Sequence, residues 1–374
     1  MNPNMKVPYY AKVSLIIIGL FTFVAILYIA QHIIVPLVYA TIIAIVLTPL
    51  VDFFTRLRIH RILAITITLI MAITFLCLLL VFLFVQTSRF GEAFPVLVDK
   101  FDAMLAQCVA WGSEHFNISS ERIDAWLRDL RAEIMNTGKS AIGQTLVYTG
   151  NLLVILVLIP VYIFMILYYQ PLLIEFIHRV FHAHRKGDVD DVLITTKRII
   201  RSYLGGLLIE ASIIATLYST TLLIVGIDYA ILLGLIGAIL NVVPYVGGTL
   251  AVSLPFVIAL STKPTPSYAF LVLGIYIVIQ FIDNHYIVPK VVASKVKLNA
   301  LVSIIVVIAG GSLWGIPGML VSIPLTAIIK VLCDHISALK PWGFLLGDTM
   351  PPLLTPKFFF RKKIKTNPIH GNTD

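Results

Sequence analysis

The sequence predicts an all-α, polytopic transmembrane protein with six to eight membrane segments, and three observations lead there. Of 374 residues, 59% are hydrophobic and only 13% are charged. Mean hydropathy is +0.96. Long charge-free apolar runs recur along the chain. A soluble domain carries about 25% charged residues and cannot hide this much apolar surface in its own core. A cytosolic enzyme, a secreted disulfide scaffold and a disordered chain are therefore excluded. The net charge of +9 would suggest nucleic acid as a partner of a soluble protein. In a membrane chain it is read as a set of topology markers, with the lipid bilayer as partner and no nucleic acid. Cys77, Cys108 and Cys333 lie far apart with no Cys-x-x-Cys pair, so neither a disulfide framework nor a metal site is expected.

A bilayer core about 30 Å thick takes roughly 20 helical residues per crossing. The runs 13–30, 33–51, 62–85 and 146–169 are free of charge and long enough. Residues 203–227 make a fifth span holding Glu210, and 267–288 a sixth holding Asp283 and His285. The runs 229–262 and 298–329 carry no charge, but each is too long for one upright span and too short for two. Read as hairpins that enter and return on one side, they place most of the 28 Lys and Arg residues on a single face, together with both termini. By the positive-inside rule that face is cytoplasmic. The chain then divides into N-terminal helices (1–85), an extracytoplasmic amphipathic insert (86–145), a fourth span with a basic loop (146–202), a transport core (203–333) and a cytoplasmic tail (334–374).

In the insert, Phe94, Leu97, Val98, Phe101 and Leu105 recur at helical spacing, as do Ile123, Trp126, Leu127, Leu130 and Ile134, with Ser119 and Ser120 as N-cap candidates. A helical cap, a subunit interface and a ligand-binding module remain open for it.

The two awkward runs resemble each other. At an offset of 69, YVGGTLAVSLP beginning at Tyr245 aligns with WGIPGMLVSIP beginning at Trp314, matching Val252 with Val321, Ser253 with Ser322 and Pro255 with Pro324. Helix breakers cluster in both: Asn241, Pro244, Gly247 and Gly248 in the first; Gly310, Gly311, Gly315, Pro317 and Gly318 in the second. A break in lipid frees backbone groups that only protein, water or a ligand can satisfy. Interrupted segments at corresponding places in two halves therefore point to a secondary transporter's site, although Gly and Pro also serve plain helix packing. Each hairpin follows an ordinary span, and the assumed topology makes the two units an inverted repeat. Glu210 and the Asp283-Asn284-His285 patch lie in the same part of the chain. An ionisable group at membrane depth is expensive, so either carboxylate is a candidate for binding Na⁺ or carrying a proton. Snorkelling toward Lys290 is the plainer alternative for Asp283 and His285.

These residues also carry a family likeness. Tyr203-Leu204-Gly205-Gly206, Val243-Pro244-Tyr245-Val246-Gly247, Gln280 with Asp283-Asn284 and Pro289, then Gly310-Gly311, Gly315-Ile316-Pro317-Gly318 and Pro324 resemble the autoinducer-2 exporter family of bacterial permeases. The resemblance implies a polytopic inner-membrane permease and a homo-oligomer, with either autoinducer-2 export or exchange of Na⁺ or Li⁺ for H⁺. It departs from the family pattern at Asn299-Ala300, where His-Pro is usual, and at Tyr169-Gln170-Pro171, where a charged motif is usual.

Other signals fail. Gly138-Lys139-Ser140 lacks the first P-loop glycine, since Glu133 stands there. His178, His182 and His184 sit among basic residues and read as a solvated face, and Phe358-Phe359-Phe360-Arg361-Lys362-Lys363 as a segment lying on an anionic leaflet. No nucleophile and base pair suggests an enzyme. The expectation is a secondary transporter for a small polar solute or a monovalent cation, working by alternating access. Its binding candidates are Glu210, Asn241, Pro244, Gly247, Gly248, Gln280, Asp283, Asn284, Gly310, Gly311, Gly315 and Gly318. The alternative is a scaffold or sensor whose hairpins only pack.

Overall fold

A computed structural model describes residues 8–116, 157–180, 186–244, 247–292 and 297–349. Expectations for the second insert helix, the first part of the fourth span (146–156), His182 and His184, Tyr245 and the tail from 350 fall outside them. Among the described residues the chain is helical, with a single Leu298–Gly347 bridge as its only strand-like pairing.

Helix α1 (Tyr9–Ile29) runs into α2 (Gln31–Arg56), and α3 spans Arg61–Phe116. No residue of α1 is buried, and its large apolar side chains from Leu15 to Ile29 are mostly more than half exposed. Water does not tolerate that surface on an isolated helix, so lipid covers it. Its 56 residues make α3 one rod about 84 Å long, which carries the third span without a break into the region read as the insert.

The fourth segment is bent. Helices α4 (Val157–Tyr168) and α5 (Gln170–Val180) meet at 65°. Pro171 explains the bend, because it has no N–H to give the Leu167 carbonyl four residues back. Arg61 Nη2 supplies the missing donor at 3.0 Å. The same device recurs in α2. Pro49 leaves the Ile45 carbonyl without its helical partner, and Arg201 Nε donates to it at 2.9 Å.

Helix α6 (Lys186–Val225) ends at Gly226, whose φ of +75° with the bonds Ile227 N to Leu222 O and Gly226 N to Leu223 O forms a Schellman cap. Two short apolar helices follow, α7 (Ala230–Asn241) and α8 (Gly247–Thr262). At about 1.5 Å per residue neither reaches across a 30 Å core. They form a hairpin with both ends at one level, since Lys263 beyond α8 donates to the Gly226 carbonyl ahead of α7. Helix α9 (Ser267–Ile282) then continues through a π turn, Asp283–Ile287, into α10 (Val288–Val291).

Helix α11 (Ala300–His335) has span length, yet it folds back on itself. Gly315 sits at φ 64°, ψ −148°, a region open essentially to glycine alone. The backbone of Gly318 lies against the Gly310 carbonyl, whereas residues eight apart in an unbroken helix are about 12 Å apart. This is the second hairpin. Helix α12 (Lys340–Leu346) ties its base, through Asn299 N to Leu346 O and Asn299 Nδ2 to Leu345 O. Asn299 also caps α11 by accepting from Val302 N at 2.8 Å.

The first hairpin starts beside Gly226, at the C-terminal end of α6. The base of the second packs near Tyr203, where Leu298, Ile323 and Ala327 form one apolar cluster. Those two levels are about 35 Å apart along α6. The hairpins thus enter from opposite ends of the bundle, as an inverted pair would. Matched positions share local structure: Ser253 bonds to Leu250 O and Ser322 to Met319 O, both at 2.7 Å.

A methyl at Gly318 would overlap the Gly310 carbonyl, and one at Gly315 would be held at a forbidden φ. We expect Gly318→Ala and Gly315→Ala each to destabilise the detergent-solubilised protein by about 1–3 kcal/mol. Gly19→Ala, where nothing lies within 4 Å, is the neutral control. Thermal unfolding measures all three, and equal midpoints would show that the fold-back does not depend on these contacts.

Candidate functional site

Where the broken tip of the first hairpin meets α6 and the π turn, the protein encloses a cavity of about 430 Å³. Glu210, Asn241, Pro244, Gly248, Gln280, Asp283 and Asn284 all line it, with Tyr203, Thr249 and Ser303. Seven of the twelve sequence candidates therefore line one cavity. Gly247 stands just behind, closing the tip against the Leu240 carbonyl and Asn241 Cα. Gly310, Gly311, Gly315 and Gly318 form the fold-back of the second hairpin. That hairpin reaches the cavity through Ser303 and Ile323 instead.

The π turn places Asp283. Pro289 cannot donate to the carbonyl of residue 285, and the helix widens ahead of it, with Val288 N reaching Asp283 O five residues back. Asp283 then points inward at 1% exposure, while His285 is exposed, stacked on Phe281 with its Nδ1 2.9 Å from the Phe281 carbonyl. The patch read as one unit thus divides: Asp283 and Asn284 line the cavity and His285 does not.

Asp283 Oδ2 accepts from Asn241 Nδ2 at 2.9 Å. Its other oxygen, Oδ1, is buried with no hydrogen-bond partner. Glu210, which lines the same cavity, is 6% exposed. Among the described residues lining the cavity there is no Lys or Arg. Two carboxylates with no Lys or Arg among the described lining residues make an electronegative chamber, suited to a cation or to protons.

Behind the chamber, Tyr218 and Tyr276 stack with centroids 4.1 Å apart, and Tyr218 Oη donates to Gln280 Oε1 at 3.3 Å. Gly248 is packed so closely on the Gln280 amide that any side chain there would strike it. The amide is therefore held between a tyrosine and the hairpin tip. Sequence reasoning missed both tyrosines, because no local pattern links residues on different helices.

The description AI-2E family transporter matches residues 16–338. AI-2 transport protein TqsA of Escherichia coli is 25% identical over 328 residues, covering 85% of this chain and 90% of TqsA. YrrI of Bacillus subtilis, provisionally named a transport protein, is 30% identical over 148 residues, 40% of this chain and 39% of YrrI. YueF of the same organism is 23% identical over 229 residues, 61% and 62% of the two chains. The chain thus spans less than two thirds of either Bacillus relative. With a match running from within α1 past the end of α11, it belongs to the AI-2E family of multi-pass membrane transporters.

Proposed function

We propose that this chain is a cation-coupled secondary permease of the bacterial inner membrane. Its cavity takes a small polar solute such as autoinducer-2, or exchanges Na⁺ or Li⁺ for H⁺, by alternating access. One observation carries this reading: Asp283 and Glu210 face one chamber, and Asp283 keeps a buried oxygen without a partner. A carboxylate oxygen left bare in a buried place costs stability unless something binds it. A proton or an alkali cation at Oδ1 would draw charge away from the Asn241 bond, and Asn241 is the last residue of α7. Binding would in this way loosen or tighten the hairpin tip, which is the coupling that alternating access needs. The name of TqsA supports a small-solute cargo.

The transport core is 203–333, with the basic end of the bundle and both termini toward the cytoplasm. Arg56, Arg61, Lys197, Arg201, Lys297 and Lys330 gather at that end, whereas Lys263 stands at the other. The working unit is a homo-oligomer.

Three outcomes are expected. In proteoliposomes loaded with a pH-sensitive dye, Asp283→Asn and Glu210→Gln should each abolish ion-driven proton or solute movement. Unchanged flux in both variants removes the carboxylates from the mechanism. Asp283→Asn should also unfold no earlier than the parent protein on heating, whereas Asn241→Leu, which strips Asp283 Oδ2 of its donor, should lose about 1–3 kcal/mol. Equal losses in the two would make the carboxylate structural. Finally, in a cysteine-free background, Thr249→Cys and Ser303→Cys should react with a polar thiol reagent, which a packed scaffold would not allow. Arg56→Cys should label only from the cytoplasmic side and Lys263→Cys only from outside.

A further inference from the structure

A second recess lies at the basic end, about 500 Å³ in volume, between α2, the start of α5 and the third to fifth turns of α6. Lys197, Arg198 and Arg201 line it with Thr48, Asp52, Gln170, Ile194 and Ser202. We propose that this recess binds the phosphate of an anionic phospholipid with a hydroxylated headgroup, of the phosphatidylglycerol type. The site does not depend on the transport reading.

Three cations face one carboxylate here, and among the described residues none of the four is in an ion pair. Two of the donors are preset. Arg201 spends Nε on the Ile45 carbonyl, which holds its guanidinium against α2 and leaves the terminal N–H groups to a ligand. Gln170 Oε1 accepts from Arg61 at 3.3 Å, so its amide N–H₂ is the free end. A phosphodiester meets charge-assisted donors from Arg201, Lys197 and Arg198. Asp52 repels a bare phosphate but accepts a hydrogen bond from a headgroup hydroxyl, which selects glycerol over choline.

The surroundings favour a lipid over free phosphate. Ile194 lines the recess at 53% exposure, and Phe53 at 56%, Leu172 at 62% and Leu173 at 44% stand exposed on the neighbouring stretches of α2 and α5. Acyl chains have an apolar wall to lie on directly beside the cations. Basic pockets between membrane helices at the cytoplasmic surface are suited to anionic headgroups.

The test uses the full-length protein in detergent, titrated with phosphatidylglycerol, phosphatidylcholine or inorganic phosphate, and read by Tm and by native mass spectrometry. Phosphatidylglycerol should raise Tm and remain bound as a discrete adduct, and phosphatidylcholine should do neither. Lys197→Gln/Arg198→Gln, which spares the structural Arg201, should weaken the lipid's effect about thirtyfold, as expected for two headgroup cations. Arg56→Gln/Lys340→Gln, with the same charge loss at the same end, should leave it intact. Equal loss in both double variants would show general charge attraction and overturn the site. Inorganic phosphate reproducing the whole shift would overturn the lipid assignment, and no shift with any of the three would overturn the proposal altogether.

Discussion

A peptide group within a membrane-crossing helix must find its partner inside the protein, because lipid supplies none. Proline breaks that rule locally, and the fold is organised by how the breaks are repaired. Pro49 strands the Ile45 carbonyl and Arg201 takes it; Pro171 strands that of Leu167 and Arg61 takes it. Each repair ties two helices distant in sequence. At the second hairpin, Tyr39 Oη donates to the Pro317 carbonyl at 2.9 Å and Trp314 Nε1 to that of Leu27 at 3.0 Å. The tip is thereby moored to α1 and α2. What looks like a defect in one helix is a fixed point in the tertiary structure.

The first hairpin meets the same demand differently. Its break lies along the chamber wall, where Val242, Val243 and Pro244 stand beside Asn241 and Thr249. Among the described residues one side-chain hydrogen bond, Asn241 to Asp283, links the tip to the π turn. The two hairpins thus differ in how they are held, although they share a sequence pattern at an offset of 69 residues.

The stack of Tyr218 on Tyr276 is the rigid back of the chamber. It belongs to the largest apolar cluster, with Leu222, Ile258 and Val272. Side chains locked there hold Gln280 in place, and Gln280 in turn limits how close Gly248 and the hairpin tip can come. Packing and buried charge are thus separated in space: the cluster carries the packing, and the cavity in front holds the two carboxylates.

The all-helical membrane architecture, both helix breaks and the two carboxylates at depth are legible from the order of the residues. Hydropathy, proline geometry and the cost of charge in lipid are local properties, legible over twenty residues. Tertiary structure alone decided which groups meet. Asn241 and Asp283 are 42 residues apart, Tyr218 and Gln280 62, and Arg201 and Ile45 156. It also separated Asp283 from His285, two positions along one helix, because a π turn rotates one inward and leaves the other outside. No local pattern encodes these pairings, since they depend on how whole helices pack, and packing is settled by the summed shape of many distant side chains.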